Sequence, residues 1–306
     1  MINIALILLV AIFFAGIINR AKSLFSGRKG PGLLQPVKDI IRLLKKGAVY
    51  PETAGPIYRV APSFYLTSII TAALFIPFAG DKGILSLPYD FVMFAYILGL
   101  GKFFNIIGAL DAGSAFEGMG ASREALFSML AEPAFFIVMG SIGSLVGYSS
   151  FTNIFATVRN VASVSPALTY SFAGLAAVVF GLLALVENSR VPVDDPKTHL
   201  ELTMIHEVMI LDNSGFDLGL IHIAGLIKFA IYGALISNLF LDPAASIFVN
   251  AAIFIGIQTL FAVLIGTVES FMARFRINQN PQFIFSISSL ALLVFIMAMI
   301  LKGKLL

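Results

Sequence analysis

Cysteine is absent from the 306 residues, and there are only three histidines. Without cysteine the chain cannot ligate an iron–sulfur cluster, attach haem through thioether bonds or form a disulfide. Two of the histidines lie in one polar segment, so a haem held by histidines on two different spans is not expected either. We therefore expect no cofactor in this chain, and any electron transfer would belong to a partner protein.

The sequence also lacks the short motifs that carry enzyme chemistry. His206 and Glu207 begin like a zinc-protease motif, but the next histidine is His222, so the zinc-ligating spacing is missing. There is no Walker loop, dinucleotide fingerprint or nucleophile–histidine arrangement. His199 and His206, seven residues apart among carboxylates, are the alternative as metal ligands, but no compact ligand set accompanies them. We expect no catalytic residue, no metal and no nucleic-acid partner.

Apolar residues dominate the composition. They make up 58% of the chain, and the mean hydropathy is +0.95. Several runs exceed the roughly 18 apolar residues that cross a hydrocarbon core of about 30 Å. We predict an all-α integral membrane protein with a single polytopic domain over residues 1–306. Its eight transmembrane helices are expected near residues 2–18, 62–79, 91–110, 125–147, 167–187, 221–241, 247–269 and 282–301.

The distribution of positive charge predicts the orientation of these spans. Loops after the odd-numbered spans hold fourteen of the twenty Lys and Arg residues, and the opposite side holds four. Because cytoplasmic loops carry the excess of Lys and Arg, both termini are expected outside and the long polar loops in the cytoplasm.

Two further helices are predicted in the loops. After Pro36, the segment VKDIIRLLKKG repeats apolar residues at helical spacing with basic residues on the other faces, which is typical of an amphipathic helix in the membrane interface. This helix would either bind anionic lipid or take part in docking or cavity lining. In the second case, Asp195 before Pro196 has the pattern of a helix start, and the helix is expected to run to about Leu211.

The charged residues are concentrated in the stretch from Glu187 to Gly215, which lies between two apolar segments. In a chain with only 12% charged residues, this concentration indicates a polar cavity wall on the face where a soluble partner docks. Asp111 and Glu117, in a glycine-rich segment between the third and fourth spans, would face a shared cavity.

Charges within the spans are a second signal. A charged side chain at the bilayer centre costs roughly 2.5–3.5 kcal/mol on insertion scales, so each one suggests a function. One interpretation is a buried acid–base chain that passes protons. The alternative is a set of ion pairs that fix helix packing, or residues at span ends whose charges reach water. The residues concerned are Lys102, Glu132, Glu187, Lys228 and Glu269.

Three segments carry a resemblance to a known family. GRKGPGLLQPVKDIIRLLKKG resembles the first cytoplasmic loop of the quinone-chamber subunit of complex I, and GASREALFSMLAEP resembles its third-loop motif. ENSRVPVDDPKTHLEL is similar to the family signature ETNR-x-PFDLPEAESEL. The longer stretch to Gly215 is closer to the membrane subunit of formate hydrogenlyase, hydrogenase-4 and related group 4 membrane-bound [NiFe] hydrogenases. Lys197 and His199 stand where quinone-chamber subunits carry glutamates.

The resemblance implies roles for individual residues. It places Glu187, Asp194 and Glu201 in an acidic fifth-loop cluster, Glu132 at the third-loop acidic position and Arg28 in the first-loop basic motif. The full candidate set for ion coupling is Lys102, Asp111, Glu117, Glu132, Glu187, Asp194, His199, Glu201, His206 and Lys228. The candidate partner-docking residues are Arg28, Lys29, Arg123 and Arg190.

The function implied by the resemblance is that of a membrane anchor and ion-coupling subunit in the cytoplasmic (inner) membrane. Its expected partners are a [NiFe]-hydrogenase large subunit and an Fe–S small subunit, which would hold the [NiFe] centre and Fe–S clusters, together with antiporter-like membrane subunits and membrane lipid. Two alternatives remain open. One is a quinone-binding subunit of an NADH or ferredoxin:quinone oxidoreductase, and the other is a stand-alone secondary transporter, which would predict inverted repeats.

Overall fold

The structure is a computed structural model that describes residues 2–147, 150–155, 166–195 and 203–305. Within these ranges the chain forms helices and connecting loops, with one isolated β-bridge between Phe78 and Asp81. A short 3-10 turn, Ile277–Gln279, precedes the last helix. The helices are α1 (Ile2–Phe25), α2 (Gln35–Leu44), α3 (Pro56–Ala73), α4 (Asp90–Asp111), α5 (Ala115–Val146), α6 (Pro166–Glu187), α7 (His206–Met209), α8 (Gly215–Asn238), α9 (Ile247–Phe271) and α10 (Asn280–Leu305).

Each predicted span overlaps one of these helices. Among the described residues, seven helices are long and apolar enough to cross a membrane, namely α1, α4, α5, α6, α8, α9 and α10. The chain is therefore a multi-pass membrane protein. The predicted span 62–79 corresponds to α3, which is not one of the seven, because it is only 18 residues long and carries Arg59 and several hydroxyl side chains.

Helix α8 lies at the centre of the bundle. In its most apolar window 78% of the residues are buried, against 28% for α4 and for α9. It packs against α1, α3, α6 and α9, and α2 lies against it as well. The rings of Phe14 on α1 and Phe229 on α8 stack at 5.3 Å between centroids. Around this helix the neighbours follow in the order α9, α1, α3, α4 and α5, with α10 packed between α5 and α6.

Polar contacts gather the loops at one end of the bundle. The start of α3 is held there because Tyr58 N donates to Asp111 Oδ2 at 2.9 Å, at the end of α4. Asn280, at the start of α10, donates to the Val193 carbonyl at 3.0 Å. The ends of α1, α4, α6 and α9 and the beginnings of α3, α5, α8 and α10 therefore share this end with α2 and α7. We call it the polar end.

The helix predicted from Asp195 to Leu211 is wrong over the residues described. Residues 203–205 are not helical, and the helix that follows spans only His206–Met209. The reason is that Asp194, not Asp195, supplies the capping carboxylate. Its Oδ2 accepts the backbone N–H groups of Ile205 (2.9 Å) and His206 (3.2 Å), which closes the loop on itself. Pro196 lies outside the described residues.

Helix α7 is seated directly on α5 at Gly120. A Cβ atom on this glycine would lie 2.6 Å from Val208 Cγ1 and 2.8 Å from the Ile205 carbonyl oxygen. Both distances are well inside van der Waals contact, and the second partner is backbone. The absence of a side chain at Gly120 thus sets how closely α7 and its loop approach the bundle.

We expect Gly120→Ala to lower the free energy of unfolding by about 1–3 kcal/mol, the usual range for overpacking a tight contact. Gly118→Ala is the matched control, since a Cβ at Gly118 on the same helix meets nothing within 4 Å. Thermal unfolding in detergent, followed by circular dichroism, measures both variants. Equal melting temperatures for the two would contradict the close approach of α7.

Candidate functional site

Four charged side chains from four different helices meet near the polar end. Lys102 Nζ on α4 lies 2.8 Å from Glu187 Oε1, at the last residue of α6. The same ammonium lies 3.6 Å from Glu124 Oε1 on α5. From α8, Lys228 Nζ lies 2.9 Å from Glu187 Oε2. We call Lys102, Glu124, Glu187 and Lys228 the central ion cluster.

The central ion cluster is buried and has no net formal charge. Its side chains are between 3% and 11% exposed. Two ammonium groups and two carboxylates compensate one another, which is the condition for keeping charges in a medium of low dielectric constant. Glu187 holds the cluster together, because each of its carboxylate oxygens binds a different lysine.

A cavity of about 530 Å³ opens beside the cluster between α4, α5 and α8. Most of its wall is apolar, and its polar groups are Lys102, Glu132, Glu187 and Tyr232. Glu132 is an exposed residue on a helix long and apolar enough to span the membrane. We call this space the Glu132 cavity. It brings three of the predicted in-span charges to one place.

A second cavity, of about 380 Å³, lies on the other side of Glu187 among α1, α2, α7 and α8. One part of its wall is apolar, including Ile40, Leu43 and Phe229. The polar part is formed by Asp39, Glu187, Asn188, Arg190, His206, Glu207 and His222. We call it the His206 cavity. Glu187 is a lining residue of both cavities, so the central ion cluster lies between them.

Two titratable groups in the His206 cavity have strongly shifted proton affinities. Burial lowers the pKa of His206 to about 3, and the nearby charges of Lys228 and His222 add to the effect, so its imidazole is neutral. Burial raises the pKa of Glu207 to about 7, with a further contribution from the negative charge of Asp194, while Arg190 opposes the rise. Glu207 is therefore a carboxyl group that changes charge near neutral pH.

Asp194 has a role in holding the loop. It is fully buried, and Arg274 Nε lies 3.5 Å from its Oδ1. Burial raises its pKa, whereas the N–H donors of Ile205 and His206 and the Arg274 guanidinium oppose the rise. The predicted grouping with Glu187 is thus replaced by two separate arrangements: Glu187 binds lysines, and Asp194 binds backbone and an arginine.

A further ion-pair group links α1 and α9 to the loop after α6. Lys22 Nζ lies 2.7 Å from Glu269 Oε2, and Arg190 Nη1 lies 3.1 Å from Glu269 Oε1. The Arg190 guanidinium also lies over the Phe229 ring at 5.1 Å from its centroid, in cation–π contact. Arg190, predicted to dock a partner, is thus largely buried inside the protein.

Asp111 and Glu117 do not line either cavity. Asp111 anchors the start of α3, as described above. Glu117 is fully buried, and its Oε1 accepts the Asp212 N–H at 3.0 Å. Each carboxylate fastens a different loop, so the expected shared cavity is not found at these two residues.

The remaining candidates divide into exposed, half-buried and undescribed residues. Arg28 and Lys29 are exposed at the polar end, as docking requires. Arg123 is half-buried, and its Nη1 donates to the Met204 carbonyl at 2.8 Å, holding the loop before α7. Lys197, His199 and Glu201 lie outside the described residues. Among the residues that are described, no group of three His, Asp or Glu side chains is arranged to hold a metal ion.

Sequence reasoning gave too little weight to Glu124, Glu207 and His222. A signal for Glu124 existed: it lies seven residues after Glu117 and eight before Glu132 on α5, so the three acids follow one side of a single helix. For Glu207 and His222 no comparable spacing is available, because α7 and α8 are brought together only by the fold.

Comparison with known proteins identifies the family. The family model described as NADH dehydrogenase matches residues 1–300, so the chain belongs to this family and the resemblance is confirmed. The chain is 26% identical over 295 residues to formate hydrogenlyase subunit 4 of Escherichia coli (strain K12), covering 94% of each chain. It is 29% identical over 222 residues to hydrogenase-4 component C of the same organism, covering 70% of this chain and 66% of the relative.

Other relatives extend the comparison. An NADH-quinone oxidoreductase membrane protein of Neisseria meningitidis serogroup C, the H component of that enzyme, is 26% identical over 242 residues, covering 76% of this chain and 65% of the relative. The fold is shared with a chain from the solved structure of the membrane-bound sulfane sulfur reductase, an archaeal respiratory membrane complex, with a TM-score of 0.76, 20% identity and 96% coverage of both chains. The relatives are thus membrane subunits of larger complexes.

We expect Glu187→Gln to lower the free energy of unfolding by about 3–5 kcal/mol, because it leaves Lys228 buried without a carboxylate. Arg42→Gln is the control, since it breaks the 3.3 Å pair with Asp39, whose two side chains are 69% and 54% exposed. That change is expected to cost less than about 1 kcal/mol. Similar melting temperatures for the two variants would contradict the buried ion pairs.

The shifted pKa of Glu207 predicts a pH dependence of stability. The folded protein binds this proton more tightly than the unfolded chain, with a pKa of about 7 against 4.5. The stabilisation is complete below about pH 4.5 and is lost as the pH rises to about 7. We expect Glu207→Gln to remove this loss, so the difference in melting temperature between variant and wild type changes across that window. Parallel melting curves would argue against a buried Glu207 carboxyl.

Proposed function

We propose that the chain is the membrane anchor and ion-coupling subunit of a group 4 [NiFe]-hydrogenase complex of the formate hydrogenlyase type. It lies in the cytoplasmic (inner) membrane with eight spans, α3 being the eighth, and with both termini outside. The polar end then faces the cytoplasm, with α2 in the membrane interface. The hydrogenase large subunit and the Fe–S small subunit dock there and carry the [NiFe] centre and the Fe–S clusters.

The observation that carries this proposal is the position of Glu187. It binds two lysines on two different helices and lines two cavities on opposite sides of the central ion cluster. The His206 cavity lies at the polar end, toward a docked soluble partner. The Glu132 cavity leads sideways between membrane helices, toward antiporter-like subunits. One buried carboxylate thus separates the two directions in which the coupling must act.

The physical basis is the response of buried charges to a nearby charge. At an effective dielectric constant of about 20, two unit charges 4 Å apart interact by about 4 kcal/mol, and the interaction falls with distance. A change of charge on a docked redox partner therefore alters the proton affinities of groups in the His206 cavity first. Glu187 can transmit this change because losing or gaining either lysine partner alters the charge balance on the Glu132 side.

The ion-pair interpretation and the functional one are compatible at this cluster. Lys102 has two acceptors, Glu187 at 2.8 Å and Glu124 at 3.6 Å, so its ammonium has an alternative partner within reach. A group with two nearby partners supplies the two discrete arrangements that coupling between sites requires. Glu132, which lines the cavity next to Lys102, would receive the effect on the membrane side.

A second candidate is a quinone-binding subunit, and the His206 cavity favours it. An apolar wall with Ile40, Leu43 and Phe229 faces hydrogen-bonding groups on His206 and His222, a combination that fits an amphiphilic ring compound. The similarity to the NADH-quinone oxidoreductase relative supports the same alternative. Inhibition of the purified complex by quinone-site inhibitors would favour this second function.

The stand-alone transporter has less support. The relatives named above are subunits or components of larger assemblies. Transport activity of the chain purified by itself would be needed to revive it.

The first test is purification in mild detergent. We expect nickel and a hydrogenase large subunit to co-purify with the chain. Co-purification of an NADH-oxidising module without nickel would overturn the hydrogenase assignment in favour of the quinone-binding subunit.

The second test separates coupling from assembly. In the purified complex, reconstituted in vesicles, Glu132→Gln should leave hydrogenase activity with an artificial electron donor unchanged and reduce ion translocation at least tenfold. Glu52→Gln is the control, because Glu52 is exposed and lines neither cavity. Full translocation in the Glu132→Gln complex would remove Glu132 from the coupling path.

A further inference from the structure

Arg190 has two carboxylates on either side of it. Its guanidinium now lies against Glu269, at 3.1 Å between Nη1 and Oε1. It also lines the His206 cavity, as does Glu207, and the positive charge of Arg190 acts on Glu207 across that space. No other cation among the described residues contributes comparably to the charge balance at Glu207.

Glu269 does not depend on Arg190 for its charge balance. Its carboxylate is 1% exposed and already binds Lys22 at 2.7 Å through the other oxygen. Two cations therefore share one carboxylate at this corner. Glu207, by contrast, has no ion pair within 4.0 Å among the residues that the structure describes, and it lines the same cavity as Arg190. The excess cation lies on one side of the cavity and the unpaired acid on the other.

The position of Arg190 allows it to move between these acids. It comes from the loop that follows α6, and its guanidinium rests over the face of Phe229, which also lines the His206 cavity. A planar guanidinium can keep its contact with an aromatic ring while its N–H groups turn from one carboxylate to another. A lysine in the same place would lack both the plane and the fork of donors.

We propose that Arg190 is a positioning residue that exchanges between Glu269 and Glu207, and that this exchange sets the charge of Glu207 in the His206 cavity. When Glu207 carries a proton, Arg190 pairs with Glu269. When Glu207 releases that proton to water, its carboxylate attracts Arg190, and Lys22 alone holds Glu269. The exchange moves one positive charge across the cavity for each proton released, and no other bond is made or broken.

The surroundings of Glu207 decide whether Arg190 is the controlling charge. Asp194 raises the proton affinity of Glu207, but it is held by backbone N–H groups and by Arg274. The other charged or titratable groups that line the cavity are Asp39 from α2, Glu187 from the end of α6, His206 from α7 itself and His222 from α8. Asp39 is paired with Arg42, Glu187 is paired with two lysines, and His206 is neutral. Arg190 is thus the partner with freedom to respond.

This arrangement concerns the same cavity as the proposed function but does not rest on it, since it involves only residues of this chain. The test therefore measures the proton on Glu207 directly. Infrared difference spectroscopy of the full chain, with whatever subunits co-purify, follows the protonated carboxylic acid band as the pH changes. Glu207→Gln identifies the band by removing it, and the wild-type midpoint is expected at about 7.

A double-mutant cycle distinguishes exchange from a fixed Arg190. With Arg190 present, Glu269→Gln frees the guanidinium, so the Glu207 midpoint should fall by about one pH unit, a tenfold change in proton affinity. In an Arg190→Gln background the midpoint should be higher, and Glu269→Gln should hardly change it. A fall of equal size in both backgrounds would show that Glu269 acts only through space, and the exchange would be refuted.

Two further variants keep the test decisive. If Arg190→Gln does not fold, Arg190→Lys replaces it: the charge is retained, and the effect of Glu269→Gln should be clearly smaller than in the wild type. Arg276→Gln is the matched control, since Arg276 is exposed at the same end of the bundle and lines neither cavity. It should leave the midpoint unchanged, and a shift as large as that of Arg190→Gln would overturn the assignment to Arg190.

The outcome is independent of the hydrogenase assignment. Absence of nickel from the purified complex together with a non-additive cycle would remove the proposed function and leave the exchange standing. Nickel together with an additive cycle would do the reverse.

Discussion

Charges buried among membrane-spanning helices must be compensated where they lie, and this constraint organises the polar end of the molecule. An unpaired charge there would cost several kcal/mol, whereas a pair with good geometry is tolerated. The chain meets the constraint three times: at the central ion cluster around Glu187, at Glu269 with Lys22 and Arg190, and at Asp194 with Arg274. Each group draws its members from different helices or loops, so the ion pairs also fix how those elements are placed.

The same constraint makes these groups responsive. A compensated cluster stays neutral only while every partner keeps its charge, so a change at one group is felt by the others. Glu187 is placed to make use of this, because it is the one carboxylate that lines both cavities. Asp194 is different, since its oxygens are occupied by backbone N–H groups that cannot change charge. Burial and acidity alone therefore do not identify a coupling residue; the nature of the partners does.

Much of the fold follows from composition and periodicity. Apolar runs long enough to cross a bilayer identify helices whether or not their neighbours are known, which is why every predicted span overlaps a helix. Their ends were less certain. Helix α3 begins at Pro56, earlier than its apolar run, because Asp111 accepts the Tyr58 N–H from a residue more than fifty positions away. The helix predicted after Asp195 failed for a similar reason, since the capping carboxylate is Asp194 and its backbone partners are eleven and twelve residues along the chain.

The site shows the same division between local and distant information. The sequence by itself determined that charged residues stand within membrane spans, that they include Lys102, Glu132, Glu187 and Lys228, and that no cysteine is available for a redox centre, because these are properties of residue type and of runs along the chain. Only the tertiary structure decided which charges meet. Glu187 lies 85 residues from Lys102 and 41 from Lys228, and the loop arginine Arg190 pairs with Glu269 at the far end of another helix. Ion pairing depends on distances of a few ångströms between helices, and no pattern along one helix contains that information.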